Sequence, residues 1–106
     1  MSGGGGGGSW TSNDEIACSR LKFSTQIATP QPSALQLLRV ATVLDVTLVT
    51  LGSVVAVGVY LNGVLIGGLA GGMVNRLREC LLGGTRFKAT VQSINGAQIL
   101  VEIEPI

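Results

Sequence analysis

The sequence predicts a mainly β domain of the α+β class: a small antiparallel β-barrel or curled sheet of about six strands with one main amphipathic helix. Three observations carry this expectation. Apolar and polar residues alternate in several segments, the period of a strand with one face in a core and one in water. Asn62-Gly63 and Asn95-Gly96 each stand beside β-branched segments, where a type I′ turn would take positive φ at both central residues. From Met73 to Leu82, by contrast, the apolar residues recur at helical spacing.

The elements follow in order. Gly3 to Gly8 are consecutive glycines with much backbone freedom and nothing to bury, so residues 1–17 are expected to form a disordered tail and residues 18–106 the single domain. Leu21, Phe23, Thr25 and Ile27 alternate with Lys22, Ser24 and Gln26, which reads as a strand over 20–28. Pro30 and Pro32 interrupt it. A short helical turn over 33–39 would then be capped by Ser33 and point Leu35, Leu37 and Leu38 inward. Strands are expected over 43–51, 54–61 and 64–69.

In the helix that follows, Met73, Val74, Leu77, Cys80 and Leu81 share one face while Asn75, Arg76, Arg78 and Glu79 fill the other, and Gly83-Gly84 stops it. Strands over 85–94 and 98–104 would put Phe87, Ala89, Val91, Ile99, Val101 and Ile103 in the core. Their outer faces would set Arg86 and Lys88 against Glu102 and Glu104. Closing such apolar strands into a barrel, with the helix across one mouth, removes edges that would otherwise aggregate.

The strongest compositional signal is the absence of charge between Asp45 and Arg76. A run of this length could supply a membrane hairpin, with Gly67, Gly68, Gly71 and Gly72 at the small-residue spacing of packed membrane helices. Val and Thr dominate its first half, however, and Asn62-Gly63 divides it into pieces too short to span. Buried strands are the expected outcome.

Composition narrows the chemistry. The chain of 106 residues has no histidine, seven Lys and Arg, and six Asp and Glu, for a formal charge of +1. It therefore lacks the usual neutral-pH base and the commonest metal ligand, and it has no global field to attract polyanions. No cofactor or metal is expected, and no enzyme activity. Asp45 is the one acid of its neighbourhood and is expected to point outward rather than act as a buried acid. Cys18 and Cys80 are either two reduced core thiols or one disulfide across a long loop. The N-terminal residues show no basic start and no apolar stretch of a secretory signal, so a cytoplasmic location is expected, and with it the reduced form.

Val55 to Ile94 holds an apolar strand, Asn62-Gly63, Ile66-Gly67-Gly68-Leu69, a helix with Leu77 and Leu81, Gly84, and the strand Phe87-Lys88-Ala89-Thr90-Val91. In this order it resembles the second half of HIRAN domains, small β-barrels with helices attached to helicases and nucleases. The resemblance implies a barrel and a grip on DNA ends. The first half of this chain has no Asn-Pro-Tyr-Asp segment and no aromatic pair to stack on a terminal base.

The whole chain also resembles small bacterial proteins of no established function. In those, a cysteine precedes a Leu-x-Phe-x-Thr strand, a Pro-containing turn follows, and a second cysteine lies in a Leu-x-x-Cys-Leu helix. Here those positions are Cys18, Leu21, Phe23, Thr25, Pro30, Pro32, Leu77, Cys80 and Leu81. Such proteins are expected to carry Gly-Asp where this chain has Ala41-Thr42.

The expected function is that of a non-enzymatic binding or assembly domain. Arg76, Arg78, Arg86 and Lys88 are the candidate phosphate contacts of a weak nucleic-acid binder, with Tyr60 and the tail residue Trp10 as the available stacking platforms. The alternative is a protein-interaction module or homodimer in which apolar strands, Val54 to Leu61 among them, complete a sheet with a partner.

Overall fold

The structure is a computed structural model and describes residues 16–106. The glycine run and Trp10 lie outside the described residues. A 3-10 turn at Cys18–Arg20 leads into β1 (Phe23–Ala28), followed by the short helix α1 (Pro32–Leu35). β2 (Val43–Leu51), β3 (Val54–Leu61) and β4 (Val64–Leu69) come next. The helix α2 (Val74–Leu82) then precedes β5 (Phe87–Asn95) and β6 (Gln98–Pro105). The six strands form one closed antiparallel barrel in the order β1-β4-β3-β2-β5-β6, with β6 returning to β1. The charge-free run thus builds β2, β3 and β4 rather than a membrane hairpin of helices, and among the described residues no helix is long and apolar enough to cross a membrane.

Alternation on the strands explains the core. Leu44, Val46, Val57, Val59, Ile66, Phe87, Ala89, Val91, Ile99, Val101 and Ile103 are all buried, so five strands supply it from their inward residues, and Ile27 adds β1. Helix α2 joins the end of β4 to the start of β5 across one mouth and buries Leu77 and Cys80 there. Leu21, just ahead of β1, is also fully buried. At the other mouth Ala34 and Leu38 are buried beside α1, which is anchored by the Gln31 amide donating to the Ile66 carbonyl at 2.8 Å.

Local expectations are corrected at three places. Pro32, suited to a first helical turn by its fixed φ, starts α1, so Ser33 lies inside the helix and caps nothing. Leu37 is exposed and Ala34 takes the inward position instead, because the helix ends at Leu35. Asn95 stays in β5 opposite Gln98, so the final hairpin turns on Gly96-Ala97 with Gly96 at φ 65°, the glycine-first arrangement of a II′ turn. Asn62 and Gly63, at φ 50° and 83°, do form the expected turn with both central residues left-handed. The stop of α2 is a full Schellman motif: Gly84 sits at φ 99°, its amide donates to Leu81, and the Thr85 amide donates to Cys80.

Two bulges bend the ladders. Val59 pairs with Gly67 and Tyr60 with Leu65, leaving Ile66 as the extra residue of β4. Val91 pairs with Val101 and Ser93 with Leu100, leaving Gln92 as the extra residue of β5. The displaced Gln92 Oε1 then accepts a hydrogen bond from Ser24 Oγ at 2.9 Å, joining β5 to β1 over the outside of β6.

Candidate functional site

The basic residues singled out by the sequence do not converge. Arg76 and Arg78 leave α2 about 200° apart, since each residue turns the helix by about 100°. Arg76 reaches back to the chain before β1, donating to the Ile16 carbonyl at 2.7 Å and meeting Glu79 at 3.5 Å. Arg78 instead donates to the Val55 carbonyl on β3 at 3.4 Å. Both guanidinium groups therefore fasten α2 to its surroundings.

Lys88 lies in a cross-strand row on the outside of the barrel. Tyr60 stands opposite Asp45, Asp45 opposite Lys88, and Lys88 opposite Glu104. Lys88 Nζ is 4.0 Å from Glu104, and Lys22 Nζ lies 3.9 Å from Glu104 and 3.8 Å from Glu102. Charges alternate along the row, so the local positive potential is largely cancelled. Lys22 completes this pattern and was missed as a partner by sequence reasoning. Its place in the alternation of the first strand was the signal that could have found it.

Tyr60 is half-buried. A Cβ on Gly58 would come within 3.4 Å of its ring, so the ring lies along the exterior of β3 over that glycine, with Val49 and Leu65 alongside. One face of the ring is thereby already covered. Arg86 is exposed, and its carbonyl accepts the Ile106 amide at 3.0 Å. Asp45 is exposed, as the sequence suggests.

Cys18 and Cys80 form a disulfide across a separation of 62 residues. This corrects the reduced reading. The 3-10 turn brings Cys18 over the buried face of α2 where Cys80 points, and the bridge ties the start of the domain to the helix across the barrel mouth.

Two surface features remain. One is an open cleft of about 590 Å³ between β2 and the α2–β5 connection, lined among others by Asp45, Thr47, Leu48, Leu81, Arg86 and Phe87. It exists because β2 outruns its neighbour: the β2–β5 ladder stops at Asp45–Lys88, while the β2–β3 ladder continues to Leu51–Val54. The other is the exterior of β2, β3 and β4, where Val49, Leu51, Ala56 and Leu65 line a shallow trough over Gly58 and Gly68, and Leu51 (62% exposed) and Val54 (58%) stand opposite each other in water. β3 is paired with β2 from Val54 to Tyr60 and with β4 only from Gly58 to Leu61, so Val54 to Val57 has no β4 residue in register, and Arg78 donates to the Val55 carbonyl there. Among the described residues no three His, Cys, Asp or Glu side chains group as metal ligands.

Fold and surface define a class: a disulfide-tied, six-stranded antiparallel barrel with one charge-paired flank and one apolar flank. No family model, no curated protein and no solved structure matches the chain.

Proposed function

We propose that this protein is a small non-enzymatic assembly domain that associates with its own kind through the apolar flank of the barrel. One observation carries the reading. Strands buried on a single face ordinarily alternate apolar with polar residues, but β2 and β3 keep apolar residues on the outward face as well, leaving Leu51 and Val54, which stand opposite each other, in water. An apolar patch without charge is a feature of interaction surfaces. The nucleic-acid reading receives less support, because Arg76, Arg78 and Lys88 are engaged within the fold and Tyr60 lies against the barrel. The disulfide also bears on location. In a reducing cytoplasm such a bridge would be transient, so an oxidising compartment suits the stable form better than the cytoplasm expected from the N-terminus.

The test is sedimentation equilibrium over a range of protein concentrations and salt, with two-dimensional amide spectra recorded with and without a short single-stranded DNA. Association that survives high salt and spectra indifferent to DNA are expected, since apolar burial is not screened. A monomer whose amides near Arg86 and Lys88 shift with DNA and return on adding salt would replace this reading with the nucleic-acid one.

A further inference from the structure

The exposed edge of β2 shows how such an association would be built. In an antiparallel ladder the backbone groups of successive residues point alternately to one neighbour and the other. The Val91 amide donates to the Thr42 carbonyl at 2.9 Å, so the even-numbered residues of this segment face β5. The register of β2 against β3 is continuous from Asp45 to Leu51, which carries the same parity forward to Leu48 and Thr50. β5 has already diverged there, and among the described residues no backbone or side-chain group is hydrogen-bonded to the outward amides and carbonyls of Leu48 and Thr50.

Natural sheets guard such an edge with a lysine, a proline, a bulge or a cover. This one has none of the first three from Val46 to Leu51, and beside it lies the open cleft rather than a strand.

We infer that the Val46–Leu51 edge of β2 pairs, antiparallel and about a two-fold axis, with the same edge of a second copy of this chain. The inference rests on the assembly reading above and specifies its geometry. A two-fold axis normal to the sheet keeps each face continuous, so residues whose numbers share parity must oppose one another. With Val49 on the axis, Leu48 of one copy faces Thr50 of the other and Thr47 faces Leu51. The outward groups of Leu48 and Thr50 are then satisfied in both copies.

Side-chain chemistry selects this occupant. Isologous pairing places like segments together, so any charge in the segment risks meeting its own kind. Val46-Thr47-Leu48-Val49-Thr50-Leu51 contains none, whereas β5 and β6 carry Lys88, Glu102 and Glu104. Pairing also continues the apolar exterior of Val49, Leu51 and Val54 from one barrel onto the next, joining the free edge and the exposed flank in one interface.

The experiment combines sedimentation equilibrium with amide hydrogen exchange on the intact, oxidised chain. A dimer is expected in which the Leu48 and Thr50 amides become protected as concentration rises. Thr50→Pro removes only an outward donor and no β3 ladder bond, so it should weaken dimerisation by roughly tenfold or more, two hydrogen bonds per dimer being lost. Val49→Cys should form an intermolecular disulfide across the axis, which keeps the test open if the proline variant misfolds. A dimer with Leu48 and Thr50 unprotected overturns edge pairing while leaving the assembly reading in place. A monomer at all concentrations overturns both. Protection of the two amides in a monomer overturns the second copy as the occupant, in favour of another extended segment.

Discussion

Ala41 donates its amide to the Val91 carbonyl at 2.7 Å while holding its own backbone at φ 78°. The bond closes the turn that starts β2, and the Arg39 amide, donating to Thr42 Oγ1 at 3.0 Å, braces the same turn. A side chain at positive φ brings Cβ against the following carbonyl, at a cost of about 1–2 kcal/mol. Ala41→Gly should remove that strain, less the extra entropy glycine loses on folding, for a net gain of about 0.5–1 kcal/mol and a melting temperature a few degrees higher. Thermal melts of the two proteins decide it, and a lower melting temperature for the glycine variant would count against a strained Ala41.

The strand pattern was legible because alternation is a local property. Phe87 with Ala89 and Val91, and Ile99 with Val101 and Ile103, each declared an inward face, and all are buried. Local turn chemistry placed Asn62-Gly63 correctly. It failed at Asn95, because choosing between Asn95-Gly96 and Gly96-Ala97 depends on a register that the Gln92 bulge shifts. Leu37 was misplaced for a similar reason, since the orientation of a four-residue helix, and of the turn that follows it, depends on the strand they meet. Long-range geometry was the illegible part. Nothing in local spacing brings Cys18 onto Cys80, gives Arg76 and Arg78 the Ile16 and Val55 carbonyls as partners, or ends the β2–β5 ladder at Asp45.

Gly67 marks a close crossing between β1 and β4. A Cβ there would stand 2.5 Å from Ile27 Cγ2 and 3.1 Å from both the Ala28 carbonyl oxygen and the Pro30 Cα, and two of those three atoms are backbone. Gly67→Ala should therefore force the strands apart and destabilise the fold by about 2 kcal/mol or more, in the range of core overpacking. Gly72→Ala is the control, with nothing within 4 Å of the added carbon and no positive φ. It should be neutral or slightly stabilising through reduced unfolded-state entropy. Equal effects of the two substitutions in urea unfolding would show that the crossing is not tight.

The Cys18–Cys80 bridge acts chiefly on the unfolded chain. Closing a loop over a separation of 62 residues removes chain entropy worth roughly 4 kcal/mol. That is a large share of the stability of a domain this small. Cys18→Ser should lower the urea midpoint and steepen the slope, because the unfolded chain without the cross-link exposes more surface, and a reductant should do the same to the parent protein. A parent whose unfolding is indifferent to reductant, with both thiols free to alkylation, would restore the reduced reading.

Lys88 tests the charged flank. It stands between Asp45 and Glu104 in the cross-strand register and is 40% exposed, so its ion pair at 4.0 Å is screened and worth little by itself. Lys88→Met should accordingly change stability by less than about 0.5 kcal/mol. Lys88→Glu is different in kind, because it would line up acids on three neighbouring strands at Asp45, position 88 and Glu104. Directly opposed like charges are destabilising, by about 1 kcal/mol here at low salt. Raising ionic strength to 1 M shortens the screening length to about 3 Å and should restore most of the loss. Denaturant titrations of the three proteins at both salt concentrations separate the cases: a Lys88→Glu penalty that ignores salt would be steric, and the alternating row would then contribute nothing electrostatic to the barrel.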